Sequence, residues 1–189
     1  MMKNNENECI ITEIEKKTLL EGLRFNVIRK KISIDEKIVE RDIVEFPDSV
    51  IILPVLKTDK IILIKQYRPA INDYIYEVPA GVVEPGEPIK EAAIRELIEE
   101  TGYEPKELID VGVYFPTPGY STEKMHFFIA RDLEYVGMKP EPYEVIKPVV
   151  VLLADALEMI KNNQIQDLKT VALILYYTSY IWKKDFGED

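Results

Sequence analysis

Short apolar runs rich in Ile and Val recur along most of the chain, separated by charged or turn-forming residues. That rhythm predicts strands. In the first third, Leu19–Ile28, Lys31–Ile34 and Val39–Phe46 read as short strands carrying many charges, as suits an exposed sheet or one facing a partner subunit. Val50–Leu56 and Ile61–Tyr67 are stronger. The polar turn Lys57-Thr58-Asp59-Lys60 joins them as a hairpin. Tyr74–Val78, Leu108–Phe115, Lys124–Ala130 and Val149–Leu152 follow as further strands, the last after a Pro-rich loop from Lys139 to Pro148.

The pattern changes to helical periodicity from Pro88 to Glu100, with Pro88 suited to the first turn, Glu87 to the positive end, and Gly102 to the stop. Two more helices are predicted, Asp155–Lys161 and Lys169–Lys184, the second capped by Asp167. Strands with helices set between and after them predict an α/β sandwich. Residues 1–46 form an N-terminal strand region, and 47–189 form the main domain.

Within the central helix, Glu96 and Glu100 stand four apart and so share one face, with Glu99 at its border. Like charges at that spacing cost a helix some tenths of a kcal/mol per pair. A cation removes the penalty, and Mg²⁺ takes such oxygen ligands together with phosphate and water. Arg95 can reach Glu91 or Glu99, while Ala92, Ala93, Ile94, Leu97 and Ile98 supply the packed side. Gly81 and Gly86, in the loop before the helix, allow turns that a Cβ would oppose.

Composition narrows the function classes. The chain has 189 residues, 47% hydrophobic and 31% charged, as for one well-buried domain with a small extension. Its net charge of −10 excludes a surface that holds nucleic acid non-specifically, but a local metal site still admits a small anionic substrate. Cys9 is the single cysteine, so neither an intramolecular disulfide nor a zinc cluster is expected. The polar start lacks an apolar signal core, and Val171–Trp182 falls short of the ~20 residues that span a bilayer. A cytoplasmic protein without membrane contact is expected.

The spacing Gly81, five residues, Glu87, seven residues, Arg95-Glu96-Leu97, one residue, Glu99-Glu100, one residue, Gly102-Tyr103 resembles the complete box of the Nudix hydrolases. The resemblance implies an α/β/α sandwich with an N-terminal antiparallel β-sheet extension. It implies a loop–helix–loop that binds Mg²⁺, Mn²⁺ or another divalent ion beneath a pyrophosphate, with Glu96, Glu99, Glu100 and the backbone carbonyl of Ala80 as ligands. Three segments outside the box resemble the ADP-ribose pyrophosphatase subfamily: Tyr76-Glu77-Val78-Pro79-Ala80-Gly81, Gln66-Tyr67-Arg68, and Tyr114–Glu123 with Pro118 fifteen residues beyond Tyr103. Ile165–Thr170 before an apolar helix matches that subfamily in style.

This subfamily resemblance implies hydrolysis of ADP-ribose to AMP and ribose 5-phosphate. Arg68 is then a phosphate contact, or else a surface arginine paired with an acid. Glu77 stands beside the site or simply alternates outward on its strand. Pro118 and Gly119 belong to a substrate loop or a rigid turn. The general base falls on Glu144, with Glu141 as substitute and Glu99 as competitor. Here Lys147 and two prolines depart from the denser acidic run such enzymes carry. An N-terminal sheet shared across a homodimer is implied as well, with Phe25, Arg29 or Phe46 touching the adenine or buried at the interface. His126, alone in an apolar strand, reads as a core or edge residue. Alternatives are another nucleoside diphosphate derivative as substrate, or a sensor that binds ADP-ribose without cutting it.

Overall fold

The computed structural model describes residues 9–57, 59–139 and 145–182. It divides into two compact units, the chain up to Pro47 with Phe115–Glu123, and Asp48–Tyr114 with the chain from Lys124 onward.

The first unit is an antiparallel sheet of β1 (Ile11–Glu21), β2 (Asn26–Ile34) and β3 (Lys37–Glu45) in that order. The strand expected at Leu19–Ile28 is therefore two strands and a turn. Gly22 donates its N–H to the Phe25 carbonyl at 3.1 Å, and a Cβ on Gly22 would lie 2.5 Å from that oxygen. Lys30 and Lys31 do not interrupt β2, because charges find cross-strand partners instead: Lys30 on Glu13 and Arg29 on Asp42. Phe115–Glu123 joins this unit through backbone bonds between Val44 and both Tyr120 and Thr122.

The second unit is built on a mixed sheet. Its strands are β4 (Ser49–Lys57), β5 (Lys60–Arg68), β6 (Asp73–Glu77), β7 (Ala80–Val82), β8 (Tyr103–Tyr114), β9 (Met125–Tyr135) and β10 (Ile146–Leu152). The main path runs β10-β5-β4-β9-β8, with β6 beside β5 and β7 beside β4. Only β4 and β9 pair in parallel. Both β8 and β9 run longer than expected, since their paired ends, Tyr103–Pro105 against Leu133–Tyr135, carry no apolar alternation. Pro148 is accommodated because β10 is an edge strand.

Residues 49–55 of β4 are all buried, as for a strand covered on both faces. Ile51, Leu53 and Val55 point with Phe127 and Ile129 of β9 toward α2 (Leu153–Lys161) and α3 (Leu168–Tyr176). Val50 and Ile52 point with Phe128 and Ala130 to the opposite side, against Ala92, Ala93 and Leu97 of α1 (Ile89–Thr101). The result is the expected α/β/α layering, with the N-terminal three-stranded sheet beside it in sequence. The last helix is shorter than expected: α3 ends at Tyr176 and continues as a π-helical turn through Trp182. No helix among the described residues is long and apolar enough to cross a membrane.

Leu97 is fully buried between α1 and the sheet. Leu97→Ala should destabilise the fold by about 3 kcal/mol and lower Tm by roughly 10 °C. A thermal melt showing a shift under a few degrees would mean that α1 packs loosely on β4.

Candidate active site

α1 starts after Pro88 and stops at Gly102, whose φ of 79° lets its N–H close on the Ile98 carbonyl at 2.8 Å. Its inner side carries Ala92, Ala93 and Leu97, and then an acid, Glu100, only 1% exposed. Glu100 accepts the Ala80 N–H at 3.0 Å, so the helix is tied to β7 through a carboxylate. One turn earlier, Glu96 lies directly over Gly81. A Cβ on Gly81 would stand 1.9 Å from the Glu96 carboxyl carbon, so only glycine leaves room for that carboxylate.

Arg95 organises the rest. Its Nε and Nη2 donate to Glu87 at 2.8 and 2.9 Å, and Nη1 donates to Glu96 at 2.8 Å and Glu99 at 3.1 Å. Of the two acids expected for it, Arg95 takes Glu99 and not Glu91; Glu87 and Glu96 complete its set. Glu87 also accepts the Glu84 N–H at 3.0 Å, which closes the loop before the helix. The paired Glu87 holds the Arg95 guanidinium well above its ordinary range, with Glu96 adding to this. Arg95 in turn pulls the Glu87 carboxyl down.

A second charged group gathers at the end of β6. Glu77 ends β6 and is fully buried, so it does not alternate outward. Arg68 grips it with two parallel bonds, Nε at 2.6 Å and Nη2 at 2.8 Å. Lys169, in the first turn of α3, donates to the same carboxylate. Burial pushes the Glu77 carboxyl up, but Arg68 and Lys169 outweigh it and leave the group below the ordinary range. Glu77 raises the Arg68 pKa, and Glu100 contributes to the same rise, so Arg68 feels the acidic helix. Asp167 caps α3 through Thr170 N at 2.9 Å and takes Lys169 Nζ at 2.7 Å. The Thr170 hydroxyl accepts the Val78 N–H at 2.8 Å.

The other expected residues divide between places. In the first unit, Phe25 stacks on Phe46 with ring centroids 6.2 Å apart, and both line an open recess of about 400 Å³ with Gly22–Asn26, Glu45 and Pro47. Arg29 does not line it; its guanidinium is committed to Asp42 at 2.7 and 2.9 Å. Pro118 and Gly119 lie exposed in a turn closed by the Thr117 carbonyl. Glu141 and Glu144 lie outside the described residues. His126 is not without a partner: its Nε2 stands 2.8 Å from an Asp48 carboxylate oxygen.

The profile of the NUDIX domain matches residues 45–173, which span the helix, both charged groups and the sheet that carries them. The chain belongs to the NUDIX family. It is similar to an ADP-ribose pyrophosphatase of Bacillus subtilis (strain 168), 37% identical over 142 residues that cover 74% of this chain and 77% of that protein. A methanol dehydrogenase activator of Bacillus methanolicus is 33% identical over 141 residues, 72% of this chain and 75% of its own. In fold, the crystal structure of an ADP compounds hydrolase superposes with a TM-score of 0.82 over 98% of this chain and 100% of its own, at 23% identity.

Glu96, Glu99 and Glu100 of this NUDIX protein are hard oxygen donors on one helix, and the space over Gly81 is kept for one of them. Among the described residues no group of three acidic, histidine or cysteine side chains is arranged as one that could hold a metal ion by itself. Mg²⁺ does not require one, since it binds through one or two carboxylates with substrate phosphate and water. The donor set therefore fits a divalent ion. Lys169 was not expected at the site, though a signal existed. A lysine in the first turn of a helix opposes the macrodipole by some tenths of a kcal/mol, which calls for a nearby anion.

Proposed function

We propose that this chain hydrolyses the pyrophosphate bond of ADP-ribose in a Mg²⁺-dependent reaction, giving AMP and ribose 5-phosphate. The observation that carries the reading is the arrangement of α1, where a buried Glu100 is fixed to Ala80 and Glu96 fills the space over Gly81. Glu96, Glu99, Glu100 and the Ala80 carbonyl would hold the ion. When bound, it supplies a lowered pKa for the attacking water and neutralises the phosphoryl oxygens.

Each residue then has a separate task. Arg68 is held by Glu77 through Nε and Nη2 and offsets the charge of the diphosphate. Arg95 donates to both Glu96 and Glu99 and so offsets their mutual repulsion. A carboxylate takes the proton from water, and the assignment is Glu144, with Glu141 and then Glu99 as substitutes. The water oxygen bonds to one phosphorus, the bridging P–O bond breaks, and the bridging oxygen leaves on the other phosphate. The Phe25–Phe46 pair offers a stacking surface of the kind a base uses.

A cytoplasmic homodimer belongs to the same proposal. The dimer is supported by β1, exposed along its whole length, where Ile11 (65%), Ile14 (50%) and Leu20 (56%) leave apolar surface uncovered. Light scattering at micromolar protein should give twice the chain mass.

The function itself is tested by incubating the purified protein with Mg²⁺ and a panel of nucleotides, following products by chromatography. AMP and ribose 5-phosphate from ADP-ribose, with loss of turnover on adding a chelator, are expected. Cleavage of another nucleoside diphosphate derivative in preference would replace the substrate and keep the family. Tight ADP-ribose binding without cleavage would make the chain a sensor.

A further inference from the structure

Glu77 is the one fully buried acid of its strand, and three polar hydrogens converge on its two oxygens. Arg68 Nε takes Oε1, while Arg68 Nη2 and Lys169 Nζ share Oε2. With three of the roughly four lone-pair sites of its carboxylate taken by cations, Glu77 is fully buried and committed to holding Arg68 and Lys169 rather than to acting as a base. It is an anchor. The question is why one carboxylate carries two cations when Arg68 alone would satisfy it with a bidentate bond.

Charge supplies the answer. A lone Arg68–Glu77 pair is neutral, and much of the arginine's attraction for an anionic substrate would be spent on the acid beneath it. Lys169 draws on the same carboxylate and takes up part of its charge, so that less of it offsets Arg68; Asp167 in turn balances Lys169, and the four groups sum to zero. Arg68 is the outward cation, with a side chain 30% exposed against 18% for Lys169. Asp167 prevents Lys169 from swinging away: it holds Nζ at 2.7 Å and is itself fixed by the Thr170 N–H and hydroxyl at 2.9 and 2.6 Å. Capping does not need the lysine, because Asp167 and Thr170 already complete the cap. Nor does the tie to the neighbouring strand, which the Thr170 hydroxyl makes with Val78 N–H.

We propose that Lys169 is a positioning residue for diphosphate hydrolysis: braced on Asp167, it shares the Glu77 carboxylate so that less of that carboxylate's charge offsets the Arg68 guanidinium toward the substrate diphosphate. This rests on the reading of the site as a nucleoside diphosphate hydrolase. Because Arg68 neutralises the diphosphate in ground state and transition state alike, the loss should fall on KM rather than on kcat.

The test is steady-state kinetics on ADP-ribose with Mg²⁺ for the full chain, Lys169→Met, Lys169→Arg, Arg68→Met and the double variant with both methionines. Lys169→Met should raise KM about ten-fold and change kcat by less than about three-fold. Lys169→Arg should return KM to near the original value. The double variant should be no worse than Arg68→Met, since Lys169 acts only through Arg68. Lys169→Gln, which keeps a donor for Glu77 but no charge, makes the same comparison should the methionine variant fail to fold. An unchanged KM in a folded variant, a fall confined to kcat, no rescue by arginine, or effects of the two methionines that multiply would each overturn the role. Failure of the underlying function shows separately, as absence of diphosphate cleavage by the unmodified protein, and takes the inference with it.

Discussion

Glu100→Gln will lower turnover of ADP-ribose by on the order of 1,000-fold while leaving Tm unchanged or slightly higher. The amide is the same size as the carboxylate, and its oxygen can still accept the Ala80 N–H, so the tie between α1 and β7 survives. What disappears is a negative charge in a position only 1% exposed, beside Glu96 one turn away on the same face. Removing that charge relieves repulsion within the helix and the cost of keeping an ion buried. An ordinary structural acid would behave in the opposite way, losing stability and keeping activity. Turnover and a thermal melt on the same preparation separate the two. More than about a tenth of the original turnover in the variant would remove Glu100 from the metal-binding set.

Gly81→Ala should reduce turnover about 100-fold, the cost of misplacing a catalytic group by roughly an ångström. Gly81 does not need glycine for its backbone, since its φ is not positive, unlike Gly86 and Gly102. It needs glycine for space. The added methyl would sit 1.9 Å from the Glu96 carboxyl carbon and 2.0 and 2.3 Å from its oxygens. That carboxylate is the end of a flexible side chain, so it moves and the fold stays. The circular dichroism spectrum and Tm should match those of the unmodified chain within a few degrees. A variant with full activity would show that Glu96 works from elsewhere, and a variant that unfolds would show that Gly81 serves the backbone after all.

How much of this was legible in the sequence depended on whether the pattern was local. The buried run of β4, the helix from Pro88 to Gly102 and the facing of Glu96 and Glu100 follow from periodicity within one element. Beside Gly22 the pattern failed, because Leu19, Leu20, Leu23 and Phe25 look like one apolar strand. A backbone hydrogen bond from Gly22 to Phe25 splits them. β1 was only partly visible, since all of its residues are exposed and its charges hide the alternation. The site showed the same division. The box acids were readable from spacing, but Lys169 reaches Glu77 across 92 residues, a distance no local pattern spans. Arg68 was open between a phosphate contact and an ion pair, and the structure shows the ion pair, a bidentate grip on buried Glu77.

That long reach also orders events during synthesis. At about 5–20 residues per second, Lys169 and Thr170 leave the ribosome roughly 5 to 20 s after Glu77 and Val78, their partners 92 residues earlier. In that interval the acidic helix is already made, but Leu173, Ile174 and Tyr177 are missing from the core beneath the sheet. The buried glutamate lacks its second cation too. A nascent chain in that interval carries the box without the Lys169 contact to Glu77 and without those three residues of the core.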